Sequence, residues 1–193
     1  MIIRGEKVNL RPVEPADLER MVAWSQDPEL AEYTEGNYPC SMEEAASWLQ
    51  RVRSDRHNKR WSIVTKQGLL IGDIELDQIA WRGAHAELRI CIGEKAYWNQ
   101  GLGTDAVRAV VAHAFENMSL EQVYLRVFAD NARAVRCYLK AGFRKEGRIE
   151  RRDPAGRPRQ VLLMRVLRSE YLRSGYPSEQ GEPGTDSLRQ TAS

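Results

Sequence analysis

Tyr97-Trp98-Asn99-Gln100-Gly101-Leu102-Gly103-Thr104-Asp105-Ala106 is a glycine-rich turn that runs straight into an amphipathic stretch. Beyond it, Ala106, Val107, Val110, Val111, Ala114 and Phe115 recur at helical spacing. A turn whose backbone N–H groups are unobstructed by side chains, set at the positive end of a helix, is suited to a phosphate. About 30 residues further on, Asn131-Ala-Arg-Ala-Val-Arg-Cys137-Tyr138-Leu-Lys-Ala-Gly142-Phe143 forms a second helical pattern, closed by a glycine. Either segment alone is modest evidence. The information lies in their order and spacing.

Gly101-Leu-Gly103-Thr-Asp-Ala106 also satisfies the dinucleotide fingerprint G-x-G-x-x-A, with Asp130 in reach of the ribose-binding role. Three features argue against that reading. The fingerprint normally opens its domain, whereas about 90 residues with their own strands and helices precede it here. A seven-residue loop separates the strand ending near Gly93 from Gly101. Too little chain follows to build two mononucleotide-binding halves.

Working outward, Val8–Pro12 reads as a first strand, and Glu14-Pro15 opens a helix with Leu18, Met21, Val22 and Trp24 on one face. The stretch from Ser25 to Cys40 reads as irregular. Ser41-Met-Glu-Glu44 is a capping box that starts a helix through Ala45, Trp48, Leu49 and Val52. Strands are expected at Arg60–Thr65, Leu69–Asp77, Ala86–Ile92, Gln122–Phe128, Phe143–Gly147 and Gln160–Val166. The alternation in Gln122–Phe128 suggests cover on both faces. Asp130 is the expected N-cap of the helix that carries Tyr138. The order predicts an α/β fold, one mixed, mostly antiparallel sheet flanked by helices. One domain over residues 1–173 is expected. Residues 174–193, rich in Pro, Gly, Ser, Glu and Gln, read as a disordered tail.

Composition narrows the function classes. A net charge of +2 over 193 residues makes no case for nucleic-acid or membrane binding. Cys40, Cys91 and Cys137 lack metal or redox spacing, and His57, His85 and His113 share no ligand spacing, so no metal is expected. With no signal peptide and no apolar run of membrane length, a cytoplasmic location is expected.

Together the two opening segments resemble the acetyl-CoA site of the GNAT superfamily of N-acetyltransferases, and the likeness extends over roughly Asn9 to Tyr171. Leu88-Arg-Ile-Cys-Ile-Gly93, Tyr97–Thr104, Cys137-Tyr-Leu-Lys-Ala-Gly-Phe143 and Leu163-Met164…Leu167-Arg-Ser-Glu-Tyr171 are similar to the branch of ribosomal-protein alanine N-acetyltransferases. The resemblance implies that two sheet strands splay apart to form the site and that acetyl-CoA is the cosubstrate. Its pyrophosphate would lie on backbone N–H groups of Asn99, Gln100, Gly101, Leu102, Gly103 and Thr104. The family often has Arg or Gln where Trp98 stands, so a charge is missing there and Trp98 reads as packing. The pantetheine arm would follow the strand edge at Cys91, Ile92 and Gly93 and meet Asn131. The Cys91 N–H becomes the candidate oxyanion donor. Tyr138 becomes the general acid facing the CoA sulfur, and Glu87, 14 residues before Gly101, the candidate general base.

The acceptor is the least encoded part. A lysine-like amine, of reference pKa ~10.4, must lose about 3.4 pKa units to be neutral at about pH 7, roughly 4.6 kcal/mol. A protein α-amine, near ~7.7–8.0, needs only about 1 kcal/mol. One candidate base therefore favours an α-amine at a protein N-terminus, with a small amine (a polyamine, an amino acid or a drug) as the alternative acceptor and a non-catalytic CoA-binding module as the alternative class. A loop from Tyr33 to Tyr38, with Glu32 and Glu35, is expected to flank the acceptor groove. The basic run Arg144–Arg159 reads as a solvated hairpin. A homodimer is the expected assembly.

Overall fold

The computed structural model describes residues 1–31, 38–152 and 156–173. Glu32, Tyr33, Glu35, Asp153 and the tail from Ser174 lie outside these residues, as do the expectations attached to them. The chain runs β1 (Ile3–Arg4), β2 (Val8–Pro12), α1 (Leu18–Ser25), α2 (Pro28–Ala31), α3 (Met42–Ser54), β3 (Lys59–Thr65), β4 (Leu70–Ala80) and β5 (His85–Ile92). It continues through α4 (Leu102–Glu116), β6 (Gln122–Phe128), α5 (Ala132–Lys140), β7 (Arg144–Arg152), β8 (Pro158–Leu167) and α6 (Arg168–Arg173). The strands form one eight-stranded sheet in the order β1-β2-β3-β4-β5-β6-β8-β7. Only β5 and β6 are parallel, because α4 carries the chain back across the sheet between them.

That parallel pairing is short. It joins His85, Ala86 and Glu87 to Gln122, Val123 and Tyr124 and then stops. From Leu88 to Ile92, β5 keeps its antiparallel bonds to β4 but parts from β6. The expected splay is therefore present, and the central cleft opens in it.

Period-two alternation decides what each sheet face carries. Trp61, Ile63, Ile74, Leu76, Leu88, Val123 and Leu125 join the main core with the buried face of α4: Ala106, Val107, Val110, Val111, Ala114 and Phe115. The opposite face carries Arg60, Ser62, Asp73, Glu75, Glu87 and Cys91, under a second cluster built from α1, α2, Tyr38 and α3. Cross-strand register puts Arg60 opposite Glu75, and Asp73 opposite both Ser62 and Cys91. A polar row is thus buried between the sheet and the second cluster.

Local signals set the joints. Asp105, in the first turn of α4, accepts hydrogen bonds from the backbone N–H groups of Glu6, Lys7 and Val8 at 3.0, 2.8 and 2.9 Å. It ties the β1–β2 turn to the helix, and a side chain at Gly5 would lie 2.4 Å from its carboxylate. Helix α5 ends as expected at Gly142 (φ +94°), where the Phe143 N–H bonds to the Tyr138 carbonyl and the Gly142 N–H to that of Leu139. Three expectations need correction. Asn131, not Asp130, caps α5, accepting from the Ala134 N–H at 3.1 Å, while Asp130 pairs with Arg159. The outer face of β6 (Tyr124, Arg126, Phe128) is only half-covered. Strand β7 reaches Arg152 with every residue exposed, because ladder bonds to β8 rather than apolar burial hold it. Short β1, α2 and α6 show no pattern long enough to read.

Candidate active site

The glycine turn is built as a donor cradle. Asn99 and Gly101 have positive φ (+61° and +79°), and Gly101 is the N-cap of α4 with no side-chain cap on the helix end. The backbone N–H groups of the first turn therefore keep their bonding capacity at the positive pole of a 15-residue helix. Asn99, Gly101, Leu102, Gly103 and Thr104 line the central cleft. Gln100 does not. Its side chain folds back to donate to the Ala96 carbonyl at 2.7 Å, and its own carbonyl accepts from Lys7 Nζ at 3.3 Å. The Thr104 hydroxyl points at Cys137 Sγ, 3.5 Å away.

Trp98 is more than packing. Its Nε1–H donates to the Ile92 carbonyl at 2.7 Å, holding the turn against the end of β5. The Arg133 guanidinium lies over its ring, 3.4 Å from the centroid. The positive charge missing from position 98 thus arrives from the first turn of α5, a contact between distant residues that no motif signals.

Along the splayed edge, Cys91 and Ile92 line the cleft. Gly93 does not. It packs against the Trp24 indole, which a β-carbon would meet at 2.2 Å. Burial pushes the Cys91 thiol up to about 12, the negative charge of Asp73 adds to this, and so it stays protonated at neutral pH. Asn131 and Tyr138 enter the same cleft from α5. The Tyr138 ring is buried beside Phe143, and that burial raises its phenol well above the usual value, which keeps the proton on.

Glu87 reaches the cleft, but its carboxylate is clamped. Arg126 donates from Nε to Oε1 at 2.8 Å and from its terminal nitrogen to Oε2 at 2.7 Å, and Gln78 adds a bond at 3.1 Å. A second carboxylate lies deeper. Asp73, wholly buried, accepts the Tyr38 hydroxyl on one oxygen and lies 3.4 Å from Arg60 on the other. Arg60 binds Glu75 more closely, through Nε at 2.9 Å and through a terminal nitrogen, while its guanidinium stacks on Trp48 and Tyr38. Burial moves the Asp73 carboxyl up to about 6 although Arg60 and Tyr38 pull the other way. The alternation Asp73-Ile-Glu75-Leu-Asp77 within an otherwise apolar strand was the available signal for this row.

Tyr38, Arg60, Asp73, Glu75, Glu87, Cys91, Arg133 and Tyr138 all line one cleft of about 440 Å³. One end is a backbone cradle with Arg133, Arg136 and Lys140, suited to an anion. The other end is the polar row, suited to an amine. Arg151 is the one member of the exposed β7 that reaches it. Among the described residues no group of His, Cys, Asp and Glu has the arrangement of a metal site, and no helix is long and apolar enough to cross a membrane.

Comparison with known proteins agrees with this geometry. The family described as acetyltransferase (GNAT) domain matches residues 7–144. Spermidine N(1)-acetyltransferase of Escherichia coli K12 is 28% identical over 190 residues, 97% of this chain and 98% of the relative. The crystal structure of spermidine N-acetyltransferase from Vibrio cholerae in complex with CoA and spermine superposes with a TM-score of 0.78 at 27% identity, covering 86% of this chain and 98% of that one. A dodecameric structure of spermidine N-acetyltransferase from Vibrio cholerae superposes with a TM-score of 0.76 at 25% identity, covering 88% and 99%.

Proposed function

The chain belongs to the acetyltransferase (GNAT) domain family and is an N-acetyltransferase, and we propose that it transfers the acetyl group of acetyl-CoA to a primary amine of a small polyamine-like molecule by direct attack in a ternary complex. The superfamily resemblance read from the glycine turn and Tyr138 holds. The finer likeness to the ribosomal-protein branch gains no specific support from these relatives, and the small-amine alternative is better supported than a protein N-terminus.

The observation that carries the acceptor class is likeness to spermidine acetyltransferases over nearly the whole chain. Chemistry of the cleft supports it. Glu87 as the single candidate acid favours a low-pKa amine. Asp73 and Glu75 line the same cleft, adding carboxylates that suit a strongly basic amine. Direct attack is supported by the protonated Cys91 thiol, which is no nucleophile at neutral pH.

In this reading the backbone from Asn99 to Thr104, with Arg133 above Trp98, holds the pyrophosphate. The β5 edge at Cys91 and Ile92 and the remaining amide protons of Asn131 hold the pantetheine arm. The Cys91 N–H stabilises the oxyanion, and Tyr138 protonates the departing thiolate. Self-association belongs to the same reading: the dodecameric Vibrio structure supports it where a homodimer was expected.

The test is acetyl transfer from labelled acetyl-CoA into spermidine, spermine, amino acids and peptides with free α-amines. Polyamines should be the better acceptors. Tyr138→Phe should lower kcat about ten- to a hundredfold, the lower part of the usual range because a thiolate leaves readily, with little change in acetyl-CoA affinity. Transfer confined to peptide α-amines would return the acceptor to a protein terminus, and a fully active Tyr138→Phe would make that tyrosine structural.

A further inference from the structure

We propose that Asp73 is the general base of this transfer, taking a proton from the incoming ammonium group, and that Tyr38 is the residue that positions it. The assignment rests on the amine-acetyltransferase reading above. It goes beyond that reading by moving the base from Glu87, on β5, to the neighbouring strand.

Geometry carries the choice. Asp73 stands directly across β4–β5 from Cys91, whose backbone is the candidate oxyanion donor. An amine attacking a carbonyl carbon held at Cys91 would present its protons to the Asp73 side. Both oxygens of Glu87 are engaged by Arg126, and a carboxylate in a bidentate guanidinium pair is a weak base. Among the described residues Asp73 accepts a hydrogen bond from the Tyr38 hydroxyl and has a looser 3.4 Å approach to Arg60, whose nearer partner is Glu75.

Among the described residues, four charged or titratable groups face Asp73. Tyr38 comes from the segment before α3, Arg60 from β3, Cys91 from β5 and Glu75 from its own strand. Ser62, its neighbour on β3, turns its hydroxyl to Asp17. Burial and Glu75 raise the Asp73 carboxyl, while Arg60 and the Tyr38 hydroxyl lower it, leaving it at about 6. At neutral pH it is ionised, yet basic enough to accept a proton.

The step balances. The ammonium group gives one proton to the Asp73 carboxylate and becomes a neutral amine. Its lone pair forms the C–N bond to the thioester carbon, and the carbonyl electrons move to oxygen. The oxyanion collapses, breaking the C–S bond. The thiolate takes the Tyr138 proton, and the second amine proton replaces it on Tyr138. Asp73 then releases its proton to solvent.

The test is kcat/KM for spermidine against pH, with acetyl-CoA affinity measured in parallel. The intact chain should rise through about pH 6 and reach a plateau near about pH 7. Asp73→Asn leaves Arg60 paired with Glu75, so the buried row stays intact. It should bind acetyl-CoA normally and lose about 10²–10⁴-fold at about pH 7. Its rate should then climb about tenfold per pH unit toward the amine pKa near ~10, because only solution now supplies neutral amine. Tyr38→Phe removes a bond that lowers the Asp73 carboxyl, so the acid limb should move to higher pH while the plateau survives.

A uniform loss with an unshifted profile in Asp73→Asn, a loss that instead follows Glu87→Gln with this pH signature, or an unmoved limb in Tyr38→Phe overturns the assignment. If the intact chain acetylates only peptide α-amines, the polyamine reading fails by itself. The base is then judged on the peptide, where Asp73→Asn must move the limb from about 6 to about 8. A chain inert toward every amine sinks both.

Discussion

Asp73 holds its charge against the preference of the fold. Its folded value of about 6 lies above the ordinary 3.8, the reverse of a salt-bridged carboxylate. Between those values the folded chain keeps a proton that the unfolded chain has released, so stability falls as pH rises through the window and stays lower above it. Asparagine cannot ionise. Asp73→Asn should therefore melt higher than the intact chain at about pH 7.5, by a few degrees, with the gap closing toward about pH 4. Calorimetry of the two proteins across that range checks it, and a gap independent of pH would assign the change to packing. A stabilised variant that has lost its rate would place the same residue on both sides of a stability–activity trade-off. Resemblance to the family, through the spacing from the glycine turn, made Glu87 legible as a candidate in the sequence. That Arg126, 39 residues away, would occupy it was not, because a side-chain clamp between strands depends on register.

At the scale of elements, the glycine turn proposed to hold the pyrophosphate is only as well placed as its helix. Asp105 connects the first turn of α4 to three backbone N–H groups of the β1–β2 turn, and Lys7 from that turn reaches the Gln100 carbonyl. Asp105→Ala leaves those donors without their acceptor, a loss of about 2–4 kcal/mol, or roughly 5–15 °C in Tm. Acetyl-CoA binding should weaken as well, because the Asn99–Thr104 backbone loses its tether. A thermal melt with and without acetyl-CoA reports both effects, and an unchanged Tm would make the contact incidental. Elements held by their own apolar stripe and caps, such as α3, α4 and α5, were legible with boundaries near those observed. Strand β7 was read short because its continuation to Arg152 buries nothing and exists only through pairing with β8.

At the scale of the molecule, the sheet separates an apolar core on α4 from a smaller cluster under α1 to α3, and the buried polar row lies beneath the latter. Among the described residues, the last member of either cluster is Tyr171. Residues 174–193 hold only Tyr176, Leu188 and Ala192 as apolar side chains. Truncation after Arg173 should therefore leave Tm, acetyl-CoA affinity and assembly mass unchanged. A Tm fall of several degrees, or a smaller mass by light scattering, would give the tail a docking role. The sequence by itself determined the α/β class, the crossover helix, the glycine cradle and the helix that brings Tyr138, because periodicity, caps and a turn needing positive φ are local and leave local marks. Tertiary structure alone decided that Arg126 clamps Glu87 while Asp73 is buried in the cleft, that Arg133 lies over Trp98, and that Gly93 and Gln100 do not line the cleft. Those outcomes depend on strand register and on contacts between residues tens of positions apart, where burial and neighbouring charge, rather than residue type, set the chemistry.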